Sequence, residues 1–80
     1  MLCGGWSSSR EATPEEIELF LDTTSSLKME LKVLSVRTQV VAGLNYCFLA
    51  QGGESYYFVK IFRPLPGQGQ PQLVSVEERK

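Results

Sequence analysis

The side chains that could act as nucleophiles, bases or metal ligands are few and poorly spaced in this chain. It has two cysteines, Cys3 and Cys47, and no histidine. Ser-His and Cys-His catalytic pairs are therefore excluded, and two distant cysteines without histidine make a poor zinc site. The sequence leaves the redox state open: an intrachain disulfide needs a fold that brings both thiols together, whereas reduced thiols fit a cytosolic setting better.

Carboxylates, glycines and aromatic residues are the remaining candidates, and each has a simpler interpretation. Glu15, Glu16 and Glu18 cluster where a helix is predicted to start, so they favour its positive end rather than acid–base chemistry. Residues 52–54, Gly-Gly-Glu, lack the ending of a phosphate-binding loop. The aromatic run 56–58 has no accompanying basic residues and is more typical of a sheet core than of a base-stacking surface. We therefore predict a binding protein, with no catalytic residue, metal site or cofactor, rather than an enzyme.

Length and charge limit the chain to a small, nearly neutral body. Eighty residues predict one domain, residues 1–80, with one small core. The net charge of −1 favours neither a nucleic-acid partner nor a membrane surface. No apolar run approaches membrane-spanning length, and a basic segment followed by an apolar core is missing at the N-terminus. We therefore expect a cytoplasmic protein.

One amphipathic helix is predicted after a leader rich in glycine and serine. Residues 1–12 are expected to be flexible, with Trp6 either anchoring them to the body or contacting a partner. The spacing of Thr13 and Glu16 predicts a capping box. The helix is expected from Pro14 to about Leu27, frayed or bent at 23–26. Its apolar stripe, which should pack on a sheet, consists of Ile17, Phe20, Leu21, Thr24, Leu27 and Leu31.

The rest of the chain has the patterns of antiparallel strands and turns. Turn-forming glycines and prolines lie between segments of alternating apolar residues. Strands are predicted at 31–41, 44–50, 55–62 and 72–76, followed by a solvated, charged tail at 77–80. We therefore predict an α+β fold, with the N-terminal helix packed on a four- to five-stranded antiparallel sheet.

The segment Gln39–Gly43 has an unusual composition for a hairpin tip. It lies between two strand patterns, which predicts a β-hairpin. Its centre is Val-Val-Ala, where hairpin tips usually carry Asn, Asp or Ser. Either these residues belong to a buried strand, or they are exposed for a partner to cover. The pattern alone leaves both interpretations open.

Taken together, the motifs resemble those of the cystatins, and within them the stefins, which are type 1 cystatins similar to cystatins A and B. The match runs in order over nearly the whole chain. Its motifs are Gly4, Ala-Thr-Pro-Glu at 12–15, Thr-Gln-Val-Val-Ala-Gly at 38–43 followed by Asn45-Tyr46, Val-Lys-Ile-Phe at 59–62, and Leu-Pro-Gly-Gln at 65–68.

The resemblance implies a cystatin-like fold and reversible, competitive inhibition of papain-like cysteine proteases, such as cathepsins L, S, H or B. In this family three segments occlude the protease cleft together. By resemblance, this wedge consists of Leu2, Cys3 and Gly4, of Gln39, Val40, Val41, Ala42 and Gly43, and of Leu65 and Pro66. The alternative is a cystatin-fold interaction protein that does not inhibit.

The chain departs from the stefin pattern between the helix and the first long strand. The link around residues 28–31 is several residues shorter, and the chain ends at Lys80, before a typical stefin does. Both departures favour the non-inhibitory alternative. A short link beside a hairpin also favours exchange of elements between chains, so we predict a monomer together with a domain-swapped dimer.

Overall fold

The computed structural model, which describes residues 5–28 and 30–79, consists of one helix packed on a four-stranded antiparallel sheet. The helix α1 is Pro14–Thr24, and a single 3-10 turn, Ser25–Leu27, follows it. The strands are β1 (Lys32–Val41), β2 (Gly43–Gly52), β3 (Ser55–Pro64) and β4 (Gln72–Arg79), and they pair in the order β1-β2-β3-β4. The predicted α+β class and the predicted helix on an antiparallel sheet are confirmed.

The start of α1 is fixed by the predicted capping box. The Glu16 backbone N–H donates to Thr13 Oγ1 at 3.2 Å, and the Thr13 N–H donates to Glu16 Oε1 at 2.9 Å. Both N–H groups would otherwise lack a partner in the first turn. The helix ends at Thr24 and tightens into the 3-10 turn, as the poor helix formers at 23–26 predicted.

The core lies between α1 and the inner face of the sheet. Phe20 meets Phe48 edge-on, with the ring centroids 5.1 Å apart. Such a pair stabilises beyond the area that it buries. Among the described residues, the buried apolar ones are Phe20, Val36, Tyr46, Phe48, Ala50, Val59 and Ile61.

The helix face that contacts the sheet differs from the predicted stripe. Phe20 and Thr24 are buried as expected, but Ile17 is 37% and Leu21 is 56% exposed. Leu19 packs against the core instead. Neighbouring helical positions lie about 100° apart, so the pattern alone allowed either Leu19 or Leu21 to flank Phe20. The docking angle of the helix decided between them.

The predicted charged tail is part of the sheet, so this expectation was wrong. Glu77, Glu78 and Arg79 continue β4 and pair with residues 56–58 of β3. Their side chains stay exposed while their backbone groups complete the ladder. Charged residues are common on an edge strand because they discourage pairing with another chain.

Part of the predicted leader is hydrogen-bonded to the free edge of β1. The backbone N–H and C=O of Arg10 both pair with Val36, and the Ser7 N–H donates to the Thr38 carbonyl at 2.8 Å. This short segment lies where a fifth strand would pair. The flexibility of residues 1–12 as a whole stays a prediction.

Arg10 also connects this segment to the helix. Its guanidinium donates to both carboxylate oxygens of Glu16, each at 2.7 Å. This bidentate contact, with the Thr13 N–H, holds the pKa of Glu16 below its ordinary value, although partial burial opposes the shift. The Glu16 side chain is 12% exposed but the Arg10 side chain is 44% exposed, so solvent partly screens the pair.

The lowered pKa makes part of the stability depend on pH. Because the folded-state pKa is depressed, the stabilisation is present above the ordinary carboxyl pKa and is lost as pH falls through the folded-state value. We expect Glu16→Gln, which keeps the capping geometry, to lower the free energy of unfolding by up to about 1 kcal/mol at pH 7. The difference should shrink toward zero as pH falls through the lowered folded-state pKa of Glu16, as measured by urea denaturation.

Glu18→Gln is the matched control, since Glu18 is an exposed carboxylate on the same helix. It should change the free energy of unfolding by less than about 0.5 kcal/mol over the same pH range. Equal pH dependence in both variants would mean that the Arg10–Glu16 contact is not the source of the effect.

Candidate functional site

The β1–β2 hairpin ends in a tight, apolar tip. Val41 lies opposite Gly43 in the register, which leaves Ala42 alone at the apex. Val40 is 66% exposed, Ala42 is exposed and Val41 is half-buried. At the base of the tip, Asn45 Nδ2 donates to Gln39 Oε1 across the two strands at 3.1 Å. The tip therefore projects apolar side chains into solvent, and the buried-strand interpretation does not describe it.

Gly43 brings this tip into direct contact with β3. Its φ of +122° is one that residues with a side chain rarely adopt. A Cβ here would lie 2.5 Å from the Arg63 carbonyl oxygen and 3.0 Å from the Pro64 Cα. Only glycine allows the two backbones to approach this closely. The tip is therefore braced against the last residues of β3.

The second loop begins where β3 ends and contains a defined turn. The Gln68 N–H donates to the Leu65 carbonyl at 2.9 Å, Pro66 is the second residue of this turn, and Gly67 is the third, with φ +84°. A type II β-turn requires a positive φ at its third residue, usually a glycine, and often has proline at its second, so this turn fits type II. Leu65 is 51% exposed and Pro66 is exposed. This loop thus holds a second apolar group in a fixed place.

The two loops lie side by side at one end of the sheet. Gly43 pairs with Pro64 in the register, so the tip and the turn start from adjacent residues. A shallow groove of about 190 Å³ runs between them, and its lining consists of Gly43, Leu44, Arg63, Pro64, Leu65 and Pro66. The structure therefore brings together two of the three predicted wedge segments. The third, Leu2, Cys3 and Gly4, lies outside the described residues.

Two contacts of the N-terminal segment with the sheet were not predicted from the sequence. Ser7 pairs with Thr38, the residue before Gln39, and the Lys60 Nζ lies 5.8 Å from the centre of the Trp6 ring. Trp6 was expected to contact either the body or a partner, and in this structure it contacts the body. The spacing of these residues contains no signal for the pairing, because it arises only when the chain folds back along β1.

The site has little capacity for covalent chemistry. Cys47 lies half-buried on β2, and its partial burial raises the pKa of the thiol, although Lys60 and Arg37 act in the opposite direction. A thiol with a raised pKa is a poor nucleophile at neutral pH. Within residues 5–28 and 30–79, no group of three or more histidine, cysteine or acidic residues could hold a metal ion. What this end of the molecule offers is a rigid apolar edge.

Comparisons with known proteins agree on one family, although no family model matches the chain. Cystatin-A1 of Sus scrofa is 35% identical, over 94% of this chain and 81% of the relative. Cystatin-A of Homo sapiens is also 35% identical, over 94% of this chain and 85% of the relative. Among solved structures, a secreted type 1 cystatin from Fasciola hepatica matches with a TM-score of 0.79 and 31% identity, covering 95% of this chain and 96% of that one. The chain belongs to the type 1 cystatins, the stefins.

Membership in the family confirms some of the expectations from the sequence and leaves others as predictions. The predicted stefin resemblance is confirmed, and cystatins are protease inhibitors rather than enzymes. One relative, 34% identical over 89% of this chain and 77% of its own length, is named leukocyte cysteine proteinase inhibitor 1. The residues by which this stefin would contact a protease stay a prediction. In the described part of the chain, no helix is both long and apolar enough to cross a membrane.

The contact at Gly43 leads to a prediction about stability. Gly43→Ala should lower the free energy of unfolding by about 1–3 kcal/mol, because it forces a strained φ and a clash with the Arg63 carbonyl. Amide hydrogen exchange should also become faster at both the tip and the second loop. Urea denaturation and exchange measured residue by residue would test this.

Gly53→Ala separates backbone strain from the clash. Gly53 also has a positive φ, of +63°, but nothing lies within 4 Å of the position that its Cβ would occupy. We expect a cost of about 1–2 kcal/mol from the conformation alone, with unchanged exchange near Gly43. If exchange at the second loop is the same in both variants, the close contact does not couple the two loops.

Proposed function

We propose that this stefin is a reversible, competitive inhibitor of papain-like cysteine proteases. The observation that carries the proposal is the paired apolar edge: Val40 of the tip and Leu65 of the second loop are exposed on adjacent, braced loops. Exposed apolar side chains that cluster at one end of a small protein are typical of an interaction surface. The family of the chain supplies the class of partner.

The rigidity of the two loops supports tight binding. Gly43 locks the tip against β3, and the type II turn holds Leu65 and Pro66. Loops that already have their bound conformation lose little entropy when they dock. Apolar anchors near the centre of an interface contribute most of the binding energy. Affinity should therefore depend on a few side chains of the wedge.

The proposed mechanism is occlusion of the protease cleft. The tip would enter near the catalytic cysteine, flanked by the second loop and by the N-terminal residues Leu2, Cys3 and Gly4. Because the chain reverses direction at Ala42, it presents a closed turn rather than an extended peptide. No peptide bond would then lie in position for attack, so the inhibitor would be released uncut.

The proposal includes the target enzymes and the compartment. Cathepsins L, S, H and B, or similar enzymes, are the proposed partners. The cytoplasm is the proposed location, because stefins are typically intracellular, although the Fasciola hepatica neighbour is a secreted protein. Detection of the protein in cytosolic and secreted fractions of cells that produce it would decide the location.

Titration of papain activity tests the inhibitory function. We expect a dissociation constant of about 1 nM or tighter for the parent, which corresponds to about −12 kcal/mol. Val40→Asp should weaken binding by about 2 kcal/mol, roughly thirtyfold, because it places a charge in an apolar contact. Its urea midpoint should not change, since Val40 is 66% exposed.

Leu21→Asp is the matched control for this experiment. Leu21 is 56% exposed and lines a different groove, with Lys32 and Gln51, at the opposite end of the hairpin. This variant should inhibit papain as well as the parent. A folded parent that leaves papain fully active at micromolar concentration would support the non-inhibitory alternative, and equal inhibition by Val40→Asp would remove the tip from the interface.

We also propose that the chain forms a monomer and a domain-swapped dimer, of which only the monomer inhibits. The short link after α1 includes Lys28 in a left-handed conformation, with φ +55°, which a side chain makes costly. In a swap, β1 and β2 would straighten through the tip and remove it. Size-exclusion fractions, kept reduced, should be assayed separately. A stable, reduced dimer that inhibits as well per chain as the monomer would contradict this proposal.

A further inference from the structure

The N-terminal segment is attached to β1 by a pair of hydrogen bonds centred on Ser7. Its backbone N–H donates to the Thr38 carbonyl at 2.8 Å, and the Thr38 N–H donates back to Ser7 Oγ at 3.0 Å. In a regular strand pair, the Thr38 N–H would donate to a backbone carbonyl. Here the Ser7 hydroxyl oxygen accepts that hydrogen bond instead. Thr38 directly precedes Gln39, so this attachment lies at the base of the tip.

Two cationic side chains strengthen the attachment from the sheet. Arg37 Nε donates to the Ser7 carbonyl at 3.0 Å. Lys60 Nζ lies 5.8 Å from the centre of the half-buried Trp6 ring, within range of a cation–π contact. The register places Arg37, Cys47 and Lys60 in one row across three strands. The segment is therefore held by residues from both β1 and β3.

We propose that Trp6, Ser7 and Lys60 form an N-terminal anchor, which fixes Ser7 at the base of the hairpin tip. The anchor shortens the tether that carries residues 1–4 and thereby raises affinity for the protease. The inference rests on the proposed inhibitory function. Trp6, Ser7 and Lys60 are positioning residues. Their contacts are with this chain itself, and they would act on the protease only through residues 1–4.

Chain length gives the size of the expected effect. Gly4 is three residues from Ser7, so it can lie at most about 10 Å away from that residue. If Ser7 detaches completely, including its carbonyl from Arg37, the next attachment is Arg10, six residues from Gly4, and the reach doubles to about 20 Å. The effective concentration of a tethered group falls roughly as the −3/2 power of tether length, so doubling the tether reduces it about threefold.

Trp6 reports on the anchor without any protease, because it is the single tryptophan of the chain. We expect Ser7→Pro, which removes both the N–H donor and the hydroxyl acceptor, to increase acrylamide quenching of Trp6 fluorescence. Lys60→Met, which keeps the stem but removes the charge, should do the same. Ser9→Pro is the control, since Ser9 is exposed and makes none of these contacts. Unchanged quenching in both Ser7→Pro and Lys60→Met would overturn the anchor.

A double-mutant cycle in the full chain tests what the anchor does. Ser7→Pro and Lys60→Met should each raise the dissociation constant for papain, by about threefold for Ser7→Pro, and Ser9→Pro should not. In a Gly4→Glu background, where the N-terminal contact is already lost, these effects should disappear. Because the Lys60 side chain is exposed, Lys60→Met should fold normally, and it provides the same test if Ser7→Pro folds poorly.

The outcomes distinguish this proposal from the inhibitory function itself. A folded parent that does not inhibit papain refutes the inhibitory function, while the quenching experiment still reports whether the anchor exists. Undiminished inhibition by both anchor variants refutes the positioning role. The positioning role is also refuted if each anchor variant loses as much affinity in the Gly4→Glu background as in the parent. Such a result would mean that Trp6 or Lys60 contacts the protease directly or supports the fold in general.

Discussion

The close contact between Gly43 and the end of β3 is the constraint on which the proposed protease-binding end of this stefin depends. The antiparallel register places Gly43 opposite Pro64, and the missing side chain lets the two backbones approach within a distance that no Cβ would allow. One loop starts on each side of this contact. Exposed apolar residues that lie far apart in the chain thereby become neighbours on one edge.

The core explains how so small a chain can keep that edge exposed. The inner face of the sheet is closed by α1 through the Phe20–Phe48 contact, and the buried apolar residues form one cluster. An 80-residue domain has only a modest margin of stability. Apolar groups left in solvent contribute nothing to that margin. Their retention at the tip and the second loop is understandable if a partner covers them.

The N-terminal segment is attached to the body at two points. Arg10 links β1 to the helix cap through Glu16, and Ser7 closes the segment onto Thr38. Each attachment shortens the tether between the body and the N-terminal residues. A short tether limits the volume that its end explores, which lowers the entropy lost when that end binds. The same contacts that complete the sheet edge can therefore also serve recognition.

Local patterns in the sequence determined the helix start, the strands and the second-loop turn, because capping boxes, alternation and Pro-Gly turns are set by neighbours along the chain. The family resemblance placed the wedge segments in order. Tertiary structure alone decided that Leu19 rather than Leu21 packs inward, that Glu77–Arg79 pair with β3, and that Trp6 meets Lys60. These three features depend on docking angle and on contacts between distant residues. Such contacts leave no periodic trace in a single sequence, so they could be read only from the folded chain.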